Sequence, residues 1–116
     1  MKTTDYNFVE TEVPGTSDFR TVIEATAYES YEWAEFHAWY SPSARQFFWS
    51  GQSGCSCNMF EVPHTIDDME NGSKQDMINA LRSFMQERDY YYSLEKALAY
   101  LDAAKRWRYS KELPLA

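Results

Sequence analysis

Residues that do chemistry are scarce in this chain. Its 116 residues include two cysteines, two histidines, four glycines and four prolines. Two thiols cannot build the disulfide framework of a small secreted domain. No apolar run approaches the roughly 20 residues that cross a bilayer, and none follows MKTTD as a secretory leader would. A protein of the cytoplasm, with reduced thiols and no membrane partner, is therefore expected. Positive charge is also short, with 11 Lys and Arg against 18 Asp and Glu and a net charge of −7. Such a chain repels a phosphate backbone, which disfavours nucleic acid as a partner. The locally basic stretch AKRWRYSKE has the composition to stack on bases, but it reads as a helix end, where the dipole favours cations.

What the chain does hold is material for a core. Hydrophobic residues make up 44% and aromatics 17%, enough for one globular domain over 1–116. Residues 1–18 read as a loosely structured arm that ends in the turn VPGTSD, with YNFVETEV a candidate strand inside it. RTVIEATAYE alternates as a strand does. In YEWAEFHAWY, extension puts Trp33, Glu35, His37 and Trp39 on one face and Ala34, Phe36, Ala38 and Tyr40 on the other. SPSAR then turns the chain at Pro42, and QFFWS returns as the partner. Ser73 with Asp76 makes a capping pair ahead of the stripe Met77, Ile78, Leu81, Phe84 and Met85. Ser93 caps a second stripe of Leu94, Ala97, Leu98, Leu101 and Ala104. The expected fold is α+β: a small antiparallel sheet with a central β-hairpin at about 33–50, packed against two C-terminal helices at about 73–88 and 93–109.

Both thiols lie in GQSGCSCNMFE. As zinc ligands, Cys55 and Cys57 need His37 and His64 to complete a set of four, yet a single intervening residue is shorter than zinc knuckles use. As a nucleophile, Cys55 lacks the glycine that an elbow motif places two residues after its serine, and no third group orients a Cys–His pair. A disulfide between them would close a very small ring, which argues against it. The favoured reading is a structured corner where the chain leaves the hairpin: Gly51 and Gly54 permit unusual backbone, and the thiols act as small apolar groups.

FHAWY followed by RQFFWSGQSGCSCNMFE resembles a group of small proteins encoded by bacteriophages of actinobacteria. In those an aromatic hairpin runs into a corner like DSGCSCxxPFE, followed by acidic, helical sequence. The shared pattern spans about residues 30–62 and its specific part is Ser-Gly-Cys-Ser-Cys. This chain departs from it at Gln52, where an acid is expected, and at Asn58 and Met59, where proline is expected. The resemblance implies a phage origin rather than a mechanism. It weakens the zinc set, because His37 and His64 lie outside the shared residues.

Two surfaces stand out as candidate interfaces. Glu29, Glu32 and Glu35, with Asp67, Asp68 and Glu70, offer spaced carboxylates of the kind that imitate a DNA backbone. Tyr90, Tyr91 and Tyr92 form the link between the helices, and three consecutive rings cannot share one direction. At least one, Tyr91 by expectation, stands in solvent as interface residues do. These features favour a non-enzymatic, phage-encoded accessory protein without cofactor that binds and modulates a host protein in the cytoplasm of the infected cell, and they are compatible with a homodimer. The competing readings are a zinc-binding or Cys-dependent protein built on Cys55 and Cys57, and an acidic DNA mimic that inhibits a host nuclease or defence system.

Overall fold

The computed structural model describes residues 1–4 and 7–111. Asp5, Tyr6 and residues 112–116 lie outside the described residues, so Tyr6 of the candidate N-terminal strand and Glu112 of the basic stretch are not placed. Lys2–Thr4 (β1) pairs antiparallel with Glu10–Glu12 (β2), inside the segment expected to be loose. Just after it, Val13 and Thr16 are buried. Arg20–Glu29 (β3), Glu32–Ser41 (β4), Gln46–Cys55 (β5) and Glu70–Gly72 (β6) then form an antiparallel sheet in the order β3-β4-β5-β6. A 3-10 turn at Ile66–Asp68 precedes β6, and the helices Lys74–Gln86 (α1) and Leu94–Arg106 (α2) close the chain. This is the α+β arrangement that periodicity and capping predict.

The alternation in β4 decides the layers. Pairing sets Ala34 opposite Ala27, Phe36 opposite Ala25 and Ala38 opposite Ile23, so one face of the sheet is apolar. These residues share a core with Met77, Ile78, Leu81, Phe84 and Met85 of α1. Small alanines leave room for the helices, and Phe36, 2% exposed, fills the centre. Ser73 Oγ accepts from Asp76 N at 3.1 Å while Ser73 N donates to Asp76 Oδ2 at 3.0 Å, the capping box the sequence announces. On the other face, Trp39, Phe48 and Met69 gather with Phe19, Phe60 and Ile66 from the connecting segments. The sheet is thus covered on both sides.

The β4–β5 turn is held from outside. Arg45 N donates to Ser41 O at 2.8 Å, and Arg45 takes a left-handed φ of 55° that closes the four-residue loop beginning at Pro42. Asp18 accepts from Ser43 N at 2.9 Å and from Ser41 Oγ at 3.2 Å.

Three features differ from the sequence reading. β5 does not stop at Ser50 but runs on to Cys55. Gly51 permits this, since a Cβ there would stand 2.6 Å from the Phe84 ring that packs against it. β6 is polar and only three residues long, so it carries no alternation to read; it forms because Phe47, Phe48 and Trp49 offer it an edge. In α2 the expected stripe holds only in part: Leu101 and Ala104 are buried, whereas Leu94 and Leu98 are 76% and 56% exposed. The helices also end a few residues earlier than expected, at Gln86 and Arg106.

Candidate protein interface at the tyrosine end

At the end of the sheet away from the Pro42 turn, β3 passes into β4. Glu29 pairs with Glu32, which leaves a two-residue loop of Ser30 and Tyr31. Ser30 sits at a φ of 54°, in the left-handed region that a tight turn demands. Tyr31 projects from the tip, 80% exposed, and Tyr28 beside it is 68% exposed. The Tyr28 hydroxyl donates to Glu35 Oε2 at 3.3 Å, and the Glu35 charge raises its pKa. Glu35 is turned inward: its Oε1 lies 2.8 Å from His37 Nε2, and the His37 ring lies against Phe60 at 4.0 Å between centroids. Of the three acids expected on one face, Glu29 and Glu32 are exposed and Glu35 is largely covered.

The tyrosine link arrives at the same place from the helical layer. After α1 the chain turns, with Tyr91 N and Tyr92 N both donating to Arg88 O. Tyr92 enters the core, 3% exposed, and its hydroxyl donates to Ala25 O at 2.7 Å and Ala34 O at 3.1 Å. Burial pushes this phenol far above its ordinary pKa. Tyr91 is half-buried, and its hydroxyl donates to Glu32 Oε2 at 2.7 Å, a bond that raises its pKa. Tyr90 stands 66% exposed, edge-on to Tyr91. The expectation that Tyr91 is the free ring is therefore corrected: Tyr90 is the exposed one, and Tyr92 is a core residue rather than a surface one. A signal for Tyr92 was present, because it precedes the Ser93 cap, and an apolar residue there staples onto the fourth helical residue, here Ala97. Both belong to the core cluster.

The fold thus joins two surfaces that the sequence presents separately. Tyr28, Tyr31 and Tyr90 are exposed at one end with Glu29 and Glu32, and the Tyr91–Glu32 bond links the two segments. Leu94, in the first turn of α2, adds exposed apolar area directly after the link. Asp67, Asp68 and Glu70 are elsewhere. Glu70 pairs with Trp49, and the Trp49 row is about 20 Å along β5 from the row where Glu32 pairs with Cys55. Asp68 caps the backbone of His64 and Thr65, and Glu70 accepts from Trp49 Nε1 at 3.2 Å. The carboxylates form two groups and not one row.

The cysteine corner is a closed structure. Cys55 and Cys57 are joined by a disulfide, contrary to the two free thiols expected; their Cα atoms are 5.4 Å apart, within the span such a bond bridges. The physical reason is the turn that follows the strand. Asn58 N donates to Cys55 O and Asn58 Oδ1 accepts from Cys55 N, both at 3.1 Å, which folds the chain back on itself. Trp33 Nε1 donates to Cys55 O and Asn58 O at 3.0 Å and ties the corner to β4. His37 is engaged with Glu35, and exposed His64 lies 3.4 Å from Glu61 Oε1. Among the described residues no group of three or more His, Cys, Asp or Glu is placed to hold a metal ion.

The basic stretch is committed as well. Trp107 packs on Tyr40 and Phe47, and Tyr109 packs on Tyr40, so these rings are not free to stack on bases. Among the described residues no helix is long and apolar enough to cross a membrane. No curated protein and no solved structure matches the chain. A family match covers residues 10–109, the sheet and both helices included, and by it the chain belongs to the family described as Domain of unknown function (DUF7574).

Proposed function

We propose that this chain is a non-enzymatic accessory protein that binds another protein through its tyrosine end. One observation carries the reading: the 2.7 Å Tyr91–Glu32 bond sets the link between the helices against the β3–β4 turn, so exposed Tyr90 of the link and Tyr31 of the turn stand at the same end of the molecule. Tyrosine supplies large, stiff contact area with a polar tip, and interface hot spots are enriched in it. Glu29 and Glu32 beside the rings favour a partner with basic residues facing them. The Ser-Gly-Cys-Ser-Cys corner, with its resemblance to small proteins of actinobacterial phages, supports a phage origin, a host protein as partner and the cytoplasm of the infected cell as the place of action. The zinc and Cys-dependent readings need a histidine at the corner, and His37 is engaged with Glu35 and His64 lies beside Glu61; the DNA-mimic reading needs a continuous acidic row that the fold divides.

The test is site-specific photo-crosslinking in host lysate, with the reactive residue placed at Tyr31 or, as control, at exposed Gln46 near the opposite end. A single protein crosslinked from position 31 and absent from position 46 is expected. Equal capture from both positions, or capture from 46 alone, would overturn the assignment.

A further inference from the structure

β5 is paired unevenly. On one side β4 accompanies it through all its residues, from Gln46 opposite Ser41 to Cys55 opposite Glu32. On the other side β6 pairs only with Phe47, Phe48 and Trp49. Over residues 50–53 no strand among the described residues lies on the side away from β4; beyond them Asn58 closes the edge, since Asn58 N donates to Cys55 O and Asn58 Oδ1 accepts from Cys55 N. An open edge presents backbone N–H and C=O groups to any chain that can extend beside it, and folded proteins usually blunt such edges with charges, prolines or bulges. The opposite edge of this sheet is blunted in that way: β3 carries a bulge between Thr21 and Ile23, the charged Glu24 and Glu29, and a Tyr100 hydroxyl bonded to Thr26 O at 3.1 Å. SGQS on β5 has no charge, proline or bulge.

The same backbone is flanked by a cavity on each face. On the helix side a cavity of about 500 Å³ lies between Ser50 and Gly51 of β5 and Phe84, Glu87 and Arg88 at the end of α1, with Phe36 and Trp49 in its wall. On the outer side a smaller one of about 180 Å³ lies among Ser50, Gln52, Val62, Pro63 and His64. We propose that the edge of β5 over residues 50–53 is a second binding site, which takes an extended peptide segment bearing Lys or Arg as an added strand. Successive side chains of a strand point to opposite faces, so neighbouring residues of the incoming segment enter one cavity and then the other. Main-chain bonds to the edge supply affinity and the paired cavities supply selectivity. The charge of the walls chooses the partner: Asp68, Glu70 and Glu87 face Arg88 alone, and Arg88 is already drawn over the Phe84 ring at 3.9 Å and toward Glu87 at 3.6 Å. The site does not require the tyrosine end to bind anything.

The experiment selects a display library of random short peptides against the whole protein and maps the enriched peptides by titration and backbone amide NMR. The expected peptides are rich in Lys or Arg, perturb and protect amides within residues 50–53, and lose binding when their own backbone is N-methylated. Glu87→Lys, an exposed change at the rim, is expected to weaken them by about fivefold, and Tyr90→Ala to leave them unaffected. Failure to enrich any peptide, enrichment of acidic peptides, or perturbations that map away from residues 50–53 would overturn the proposal.

Discussion

The two ends of the β4–β5 hairpin are built from similar residues and meet opposite fates. At the turn end, Tyr40, Phe47, Trp107 and Tyr109 pack ring on ring, with centroids 4.8 to 5.7 Å apart. At the other end Tyr28, Tyr31 and Tyr90 are between 66% and 80% exposed. The difference is what returns over each end. The segment after α2 folds back across Tyr40 and Phe47, with Lys74 Nζ donating to Trp107 O at 2.8 Å to hold it. At the tyrosine end the returning link buries one ring, Tyr92, half-buries Tyr91 and leaves Tyr90 outside. An aromatic residue is a core residue only where a later part of the chain covers it.

The contrast breaks most visibly at the centre of the covered face. Phe36→Ala should cost about 3–5 kcal/mol in a denaturant titration, whereas Tyr31→Ala should change stability by less than about 0.5 kcal/mol. Similar losses in the two variants would mean that the tyrosine end is structural. Within the link itself, Tyr92→Phe removes the one buried hydroxyl proton shared between Ala25 O and Ala34 O and should cost about 0.5–1.5 kcal/mol. Tyr91→Phe should leave the melting temperature unchanged, because its bond to Glu32 is exposed.

How much of this was legible in the sequence follows from how local each signal is. The stripe of α1 and its Ser73–Asp76 box are set by residues within a turn or two of each other, and both are present as read. The strand faces of β4 follow from the strict period of two, and Phe36 lies on the face that period assigns to it. β6 carried no pattern, because its partner and not its own residues makes it a strand. Leu94 and Leu98 fit the helical period yet remain exposed, since periodicity names a face without naming what covers it. Glu35 counted as a surface acid until the Phe60 segment placed its partner His37 under cover.

Smaller effects sharpen the comparison at each end. Reduction of the Cys55–Cys57 bond at the tyrosine end should lower stability by about 1–2 kcal/mol, given the short loop it closes. Thiol alkylation of the native protein should modify neither cysteine before reduction and both after it; modification without reductant would contradict the closed corner. At the turn end, burial works to raise the Asp18 pKa, but hydrogen bonds from Ser43 and Ser41 outweigh it and hold it below the ordinary carboxylate value. A depressed folded-state value stabilises the protein above the unfolded pKa, and that contribution is lost as pH falls through the folded value. Asp18→Asn should therefore flatten the acid limb of a stability–pH curve below about pH 4 and leave stability at the tyrosine end untouched.

The direct test of the tyrosine surface is a titration of the protein captured at position 31 against the wild type, Tyr90→Ala and Gln46→Ala. Tyr90→Ala is expected to raise Kd by about 5- to 30-fold, the equivalent of about 1–2 kcal/mol, with folding intact and Gln46→Ala indistinguishable from wild type. An unchanged Kd for Tyr90→Ala, or a loss confined to Gln46→Ala, would contradict the account.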